Sequence, residues 1–325
     1  MIVTVTPNPS IDRTVTLPSP LTRGAVHRVS SVTSQAGGKG VNVARALTLA
    51  GVDAVALLPA ATNDPLLGAL QSLGVPYRAV ATIEPARTNL TITEQDGTTT
   101  KINEPGAQLD AASVRALTDA VLEAAVGADW VVMSGSLPPG VPDTWYGDVV
   151  ALLASQPCRI AVDTSDAPLA ALVASLDGGA PDLIKPNAEE LAGVLGFSPH
   201  ALEHAVTQGD PEPVVSAARQ LIERGVGAVL ATLGAAGAVL VDQHGAWLAT
   251  PPPIVPRSTV GAGDSSLAGY VRAEVGGAAP PQRLQMAVAY GSGAAALPGT
   301  TLPTPAEIDL NAVQVTPISP ISATH

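Results

Sequence analysis

Ser258-Thr259-Val260-Gly261-Ala262-Gly263-Asp264-Ser265 leads into a helical pattern that continues to Val275. Successive small residues at a helix start leave free backbone N–H groups aimed at one point, with the positive end of the helix dipole behind them. That is the makings of an anion cradle, with Gly261, Ala262 and Gly263 supplying the amides. An acidic side chain beside such a cradle repels a phosphate unless it accepts a proton from a hydroxyl attacking that phosphate. Asp264 therefore reads as a candidate general base. On spacing alone, a plain helix cap is an open alternative.

Outward from this loop the chain alternates between short apolar runs and helical patterns. Strands are expected at Ala54–Leu58, Trp130–Met133, Ile160–Val162, Leu183–Ile184, Ala228–Ala231 and Val239–Val241. Helices are expected at Val41–Ala50, Pro65–Leu73, Ala111–Ala125, Thr144–Ala154, Ala188–Leu195, Pro213–Glu223, Ser265–Val275 and Gln282–Leu297. Such alternation predicts an α/β fold, a doubly wound and mostly parallel sheet flanked by helices, with ligands beyond the carboxyl ends of the strands. Ile2–Thr6 reads as a further strand. Val15 with Leu17, Ala25–Thr33, and a hairpin from Arg87 through the Gln95-Asp96-Gly97 turn to Ile102 are polar and Thr-rich. They predict a small separate sheet exposed on one face. The stretch from Gly225 to Val241 is uncharged, but Thr232-Leu233-Gly234-Ala235-Ala236-Gly237 reads as a turn between two strands rather than the middle of a membrane span. The tail from Asn311 is rich in Pro, Ser and Thr and is expected to be poorly ordered.

Two more loops carry polar groups into helix starts. Gly37-Gly38-Lys39-Gly40-Val41-Asn42 lets backbone approach a ligand closely, with Lys39 and Asn42 as donors, or is simply a flexible loop. It is not a phosphate-binding Walker loop, because Gly rather than Ser or Thr follows the lysine. In Lys185-Pro186-Asn187-Ala188-Glu189-Glu190, the amide of Asn187 and the carboxylate of Glu190 share one face of the first turn. They could hold a hydrated Mg²⁺ or form a capping box. The chain has 13 Arg and three Lys, and those three are Lys39, Lys101 and Lys185. A compact ammonium is thus kept for the polar loops and the end of the hairpin. His200-Ala201-Leu202-Glu203-His204 matches a zinc-helix pattern, but it follows an ordinary Ser198-Pro199 helix start and is read as a solvated face.

The 325 residues carry a net charge of −12, the wrong sign for neutralising nucleic-acid phosphates or coating an anionic bilayer. Apolar residues make up 46% and aromatic residues 2%, so the core must come from Ala, Val and Leu. A single cysteine, Cys158, excludes an internal disulfide and a Cys-based zinc site, and fits a reducing, cytoplasmic setting. Met1-Ile2-Val3-Thr4-Val5 lacks the basic stretch of a secretory signal and soon meets Pro7 and Pro9.

Taken together and in order, these motifs resemble the ribokinase-like (PfkB) carbohydrate kinases, over nearly the whole chain. The resemblance runs from Thr6-Pro7-Asn8-Pro9-Ser10-Ile11-Asp12 to Gly291-Ser292-Gly293 and includes both Gly37–Asn42 and Val260–Ser265. Arg87-Thr88-Asn89, Lys101–Gly106, Ser134-Gly135-Ser136-Leu137-Pro138-Pro139-Gly140, Asp163-Thr164-Ser165 and Lys185-Pro186-Asn187 are most similar to the branch of 1-phosphofructokinases and tagatose-6-phosphate kinases.

The resemblance implies one ribokinase-like domain over residues 1–310, with a β-sheet lid from about 12–34 and 87–104 that is often shared in a homodimer. It implies transfer of the ATP γ-phosphoryl group to a ketose phosphate, fructose 1-phosphate first, with Mg²⁺. Fructose 6-phosphate, tagatose 6-phosphate or an unphosphorylated sugar are the rival acceptors, and a sugar-phosphate sensor without catalysis is the rival of another class. Carried over by position, Asp264 is the base and Gly261, Ala262 and Gly263 form the anion hole. Asp12, Gly38 and Asn42 hold sugar hydroxyls, while Lys39, Arg87, Lys101 and Ser136 surround the substrate's phosphate with Asn103 nearby. Lys185, Asn187 and Glu190 serve nucleotide and metal, and Thr232, Gly234 and Gly237 line the nucleotide groove. The cations could instead be matched by internal carboxylates, Asp12 and Glu104 being nearest in sequence. Ser258-Thr259 replaces the Asp-Thr of ribokinase, and Asp166 stands where the branch often has Gly.

Overall fold

In the computed structural model, which describes residues 1–318 apart from the side chains of residues 199–201 and 203, the chain forms two sheets. The elements begin with β1 (Ile2–Val5), β2 (Ser10–Thr16), β3 (Ser31–Gly37), α1 (Lys39–Leu49), β4 (Ala54–Ala60), α2 (Pro65–Ser72) and β5 (Tyr77–Ala81). They continue with β6 (Arg87–Thr93), β7 (Thr99–Asn103), α3 (Ala111–Ala125), β8 (Trp130–Ser134), α4 (Trp145–Leu153), β9 (Arg159–Asp163) and α5 (Asp166–Ala174). Then come β10 (Leu183–Ile184), α6 (Ala188–Leu195), α7 (Pro199–Thr207), α8 (Glu212–Glu223), β11 (Ala228–Thr232) and β12 (Ala238–Asp242). The last are β13 (Gly245–Thr250), α9 (Ala262–Val275), α10 (Pro280–Ala295) and β14 (Gln314–Pro317).

The large sheet has the order β14-β13-β12-β11-β10-β9-β8-β1-β4-β5, parallel from β11 to β5 and antiparallel from β11 out to β14. Its central strands are short apolar runs because helices cover both faces. Side-chain alternation sorts them: Val3, Val5, Val131 and Met133 join the core under α3, α4, α5, α6 and α8, whereas Ile2, Trp130 and Val132 pack under α1, α9 and α10. The small sheet, β3-β2-β6-β7, joins β2 and β6 in parallel and is otherwise antiparallel. Its strands are the polar, Thr-rich segments, half-exposed because nothing among the described residues covers both of their faces.

Two expectations shift. The second lid strand is Ser31–Gly37 rather than Ala25–Thr33, because it pairs residue for residue with all seven positions of β2, Thr16 opposite Ser31. The tail expected to be poorly ordered supplies β14, which extends the sheet against β13 with Pro317 on the outer edge, where a missing N–H is tolerated. Residues 319–325 of that tail lie outside the described residues. Asp166 adopts φ +55, the left-handed region, at the first position of α5. That is a physical reason for glycine at this position in the branch, and Asp is among the residues that tolerate it best.

The uncharged stretch Gly225–Val241 becomes β11 and β12 joined by a tight turn, and among the described residues no helix is long and apolar enough to cross a membrane. Helix α9, which begins at the cradle, lies directly on α10 through Gly269: a Cβ there would sit 2.7 Å from the Met286 carbonyl oxygen. Gly269→Ala should therefore force the helices apart and cost about 1–3 kcal/mol. Urea unfolding measures this, and an unchanged midpoint would refute it.

Candidate active site

The carboxyl ends of β8, β9, β10 and β11 meet the starts of α1, α6 and α9 on one edge of the large sheet, and the small sheet stands over that edge. Helix α9 is capped by Gly261 at φ +78 with no side-chain cap bond. The Ala262 and Ser265 amides close the turn onto Thr259 and Gly261. Those of Gly263 and Asp264 take no carbonyl partner, as first-turn amides do. Asp264 is buried, and its Oδ2 accepts a hydrogen bond from Asn42 Nδ2 at 2.8 Å. It is therefore not the cap, and the alternative left open by spacing falls away. Burial first, and then the nearby Asp163 carboxylate, push its pKa up to about 6, against the opposing pull of Asn42, Lys39 and Lys185.

Asp163, at the end of β9, is the hub that sequence reading passed over. Lys39, first in α1, donates from Nζ to Asp163 Oδ1 at 3.0 Å, and Lys185, just after β10, pairs with Oδ2 at 3.3 Å. Asp163 and Lys185 are almost wholly buried while Lys39 is about one-third exposed. Burial alone would raise the Asp163 pKa, but the two ammonium groups hold it below the usual carboxylate range. Burial would likewise lower that of Lys39, and Asp163, with Asp264 and Glu190 behind it, holds it above the ordinary lysine value. Lys39 thus does find an internal carboxylate, but neither Asp12 nor Glu104. Glycine makes room at the starts of α1 and α9. A Cβ on Gly38, at φ +111, would lie 2.6 Å from Thr6 Cγ2, and one on Gly263 would lie 3.3 Å from Lys185 Nζ.

On the lid side, Asp12 Oδ1 accepts from Ser10 Oγ at 2.7 Å and from Asn89 Nδ2 at 3.0 Å. Asp12, Asn89 and Asn103 face one another across β2, β6 and β7 in a single row. Arg87 donates to the Glu104 carbonyl at 3.1 Å and to Ser136 Oγ at 3.5 Å, and Asn8 Nδ2 reaches the same hydroxyl at 3.3 Å. Lys101 occupies the next row of that lid face, exposed and with no ion pair or hydrogen bond among the described residues. The structure thus joins Arg87 to Ser136 and Lys39 to Asp163 but brings Lys101 to neither pair. Asn8 and Asn89 were missed as site residues. Both stand within motifs that carry the resemblance, Thr6–Asp12 and Arg87-Thr88-Asn89, and that was the signal that could have found them.

On the remaining side, Asn187 and Glu190 form a reciprocal capping box at 2.8 Å each way. The capping alternative is therefore realised through Glu190 Oε2, while its Oε1 has no hydrogen-bond partner among the described residues. Asn187 bridges Thr232 in parallel, which sets Lys185 and Asn187 beside the end of β11. Gly234 and Gly237 follow at φ +55 and +102 in the turn to β12. Among the described residues no three His, Cys, Asp or Glu side chains collect as a metal site. The side chains of His200 and Glu203, in the zinc-like pattern on α7, lie outside those described.

The pfkB family carbohydrate kinase profile matches residues 5–307. A 1-phosphofructokinase of Rhodobacter capsulatus is 37% identical over 97% of this chain and 96% of its own length. An ATP-dependent 6-phosphofructokinase isozyme 2 of Escherichia coli K12 is 34% identical over 93% of this chain and 94% of its own. The crystal structure of phosphofructokinase-2 from Escherichia coli in complex with potassium superposes with a TM-score of 0.85 at 32% identity, covering 94% of this chain and 96% of that one. The chain belongs to the PfkB family of carbohydrate kinases. It is a sugar kinase, a phosphotransferase with an alcohol group as acceptor.

Because the folded-state pKa of Asp264 lies above the ordinary carboxylate value, the cost of burying its charge is absent at low pH and fully felt above about 6. Asp264→Asn should accordingly be more stable than the parent at pH 8, with the gap closing toward pH 5. Thermal unfolding at the two pH values measures this, and a variant less stable at pH 8 would contradict the cause assigned to the shift.

Proposed function

We propose that this kinase transfers the γ-phosphoryl group of ATP to the free primary hydroxyl of fructose 1-phosphate, giving fructose 1,6-bisphosphate and ADP. The observation that carries the reading is the buried Asp264 carboxylate, held by Asn42 beside the free amides of the α9 start. The acceptor hydroxyl oxygen bonds to the γ-phosphorus, its proton passes to Asp264, and the bond from that phosphorus to the β-phosphate oxygen breaks, releasing ADP. A base with a pKa near 6 is ionised at neutral pH yet still accepts a proton readily. The amides of Gly263 and Asp264, with Gly261 and Ala262 shaping the turn, stabilise the charge on the transferring oxygens. Lys185, within reach of Gly263, and Lys39 would exchange part of their bond to Asp163 for phosphate oxygens.

Asp12 and Asn42 match sugar hydroxyls, with Gly38 giving the backbone approach and Asn103 in the same row as Asp12. Arg87 and Ser136 take the phosphate that the acceptor already carries, and Lys101 joins them as the lid settles. Asn187, Thr232, Gly234 and Gly237 border the nucleotide. The unpartnered Glu190 Oε1 and the neighbouring Asn187 fit water-mediated contact with Mg²⁺, which keeps several waters and one or two carboxylates. When bound, Mg²⁺ supplies charge neutralisation for the triphosphate.

Val32 and Ile102 lie on the apolar face of the lid, at 45% and 54% exposure, and support a homodimer closed through that sheet. The single buried cysteine supports a cytoplasmic setting. The name of the Escherichia coli isozyme favours fructose 6-phosphate as the second reading of the acceptor.

ADP release with fructose 1-phosphate, fructose 6-phosphate, tagatose 6-phosphate and ribose tests the reading. Fructose 1-phosphate should be fastest, and Asp264→Asn should cut its turnover by about 10²–10⁴-fold. Faster turnover of another sugar would replace the acceptor, and release with none would favour a sensor. In the same assay Arg87→Ala should raise KM for the sugar phosphate by roughly 10–150-fold while barely changing that for ATP, since charge-assisted contacts contribute about 1.5–3 kcal/mol each. Equal damage to both would defeat the assignment of Arg87.

A further inference from the structure

The loop that carries Ser136 is gripped from behind. Gly135 leaves β8 at φ +116, and its N–H donates to the Asp163 carbonyl at 2.9 Å. Its own carbonyl accepts two hydroxyls at once, Tyr146 Oη at 2.8 Å and Thr164 Oγ1 at 2.9 Å. Both donors are buried, Tyr146 in the first turn of α4 and Thr164 just beyond β9. Tyr146 is further fixed by an edge-on contact with the Trp145 ring, centroids 5.3 Å apart. Among the described residues no peptide is cis, so the C=O of Gly135 and the N–H of Ser136 point in opposite directions across one plane. A carbonyl held toward α4 therefore turns the Ser136 N–H the other way, away from α4. The hydroxyl of the same Ser136 is met by Asn8 and Arg87.

We propose that Tyr146 and Thr164 are positioning residues, which hold the Gly135 carbonyl inward so that the amide and hydroxyl of Ser136 face the acceptor's existing phosphate. This rests on the preceding reading that Arg87 and Ser136 take that phosphate. The two hydroxyls act on one carbonyl, so either alone keeps the peptide partly oriented and loss of both lets it turn. Neither touches substrate. Their effect reaches the sugar phosphate through the Ser136 peptide and leaves the nucleotide side, across the sheet edge at Asn187 and Thr232, unaltered.

The test is steady-state kinetics with fructose 1-phosphate and ATP on Thr164→Val, Thr164→Ser, Tyr146→Phe and the Thr164→Val/Tyr146→Phe pair, with Arg87→Ala alongside. Thr164→Val should raise KM for the sugar phosphate by about 3–10-fold, the range of one neutral hydrogen bond. The pair should raise it further than either single change, with kcat and the KM for ATP altered by less than about twofold. Thr164→Ser, which keeps the donor, should stay near the parent KM. A role in stability alone would instead lower the melting temperature and leave the two KM values unsplit, with no advantage of Ser over Val. If Arg87→Ala raises the sugar-phosphate KM and neither Thr164→Val nor the pair does, the clamp is wrong and the phosphate assignment stands. If Arg87→Ala leaves that KM unchanged, the assignment fails and takes the clamp with it. Should Tyr146→Phe fail to fold, the contrast of Val with Ser at position 164 decides the question by itself.

Discussion

The buried carboxylate of Asp163 is the interaction on which the site depends. An ionised group so far from water is tolerated only with close partners, and here the two are Lys39 and Lys185, at 3.0 and 3.3 Å. These come from the start of α1 and the end of β10, so one charge draws three separate chain segments to one point of the sheet edge. Removing one member of a buried pair typically costs about 3–5 kcal/mol, because the other is left uncompensated. The same negative charge lies close enough to Asp264 to help push its pKa up. A single aspartate thus gathers two cations and raises the pKa of a second buried carboxylate, with both effects arising from one low-dielectric spot.

The lid is arranged on a different principle. Its strands carry no continuous apolar run, so it cannot form a core of its own and leans on the large sheet through Ile11, which packs against the Ala36, Val41 and Leu58 cluster. Its inner face is a ladder of amides, hydroxyls and one carboxylate, with Asp12 and Asn89 side by side. Glycine makes the ladder possible at its base, because a Cβ on Gly37 would overlap the Asp12 carboxylate. Polar groups that are already hydrogen-bonded to one another can trade those partners for water at small net cost.

Some of this was legible residue by residue. The helix starts at Gly261–Gly263, Lys39 and Ala188 and the apolar strands of the parallel sheet announce themselves through local rules: small residues before a helix, Asn three before Glu, short runs of Val, Ile and Leu. Edge elements were not legible for the same physical reason. β5 has the burial of a half-exposed strand and β14 contains a proline, so neither offers a two-sided apolar run to recognise. Asp163 ends an apolar strand and looks like many residues at a strand end. Its importance comes from Lys39, 124 positions earlier in the chain, and no local pattern records that distance.

The sequence by itself determined the class of fold, the small-residue start of α9 and the set of polar groups near it, because these follow from periodicity, glycine placement and charge within a few residues. Tertiary structure alone decided which of those groups meet. It turned Asp264 to Asn42 instead of the helix cap, gave Lys39 and Lys185 a shared buried carboxylate, set Arg87 on Ser136, and left Lys101 exposed on the lid. Partner choice among charges depends on burial and on distances between segments far apart in the chain. Both exist only once the sheet has brought the ends of β8, β9, β10 and β11 together.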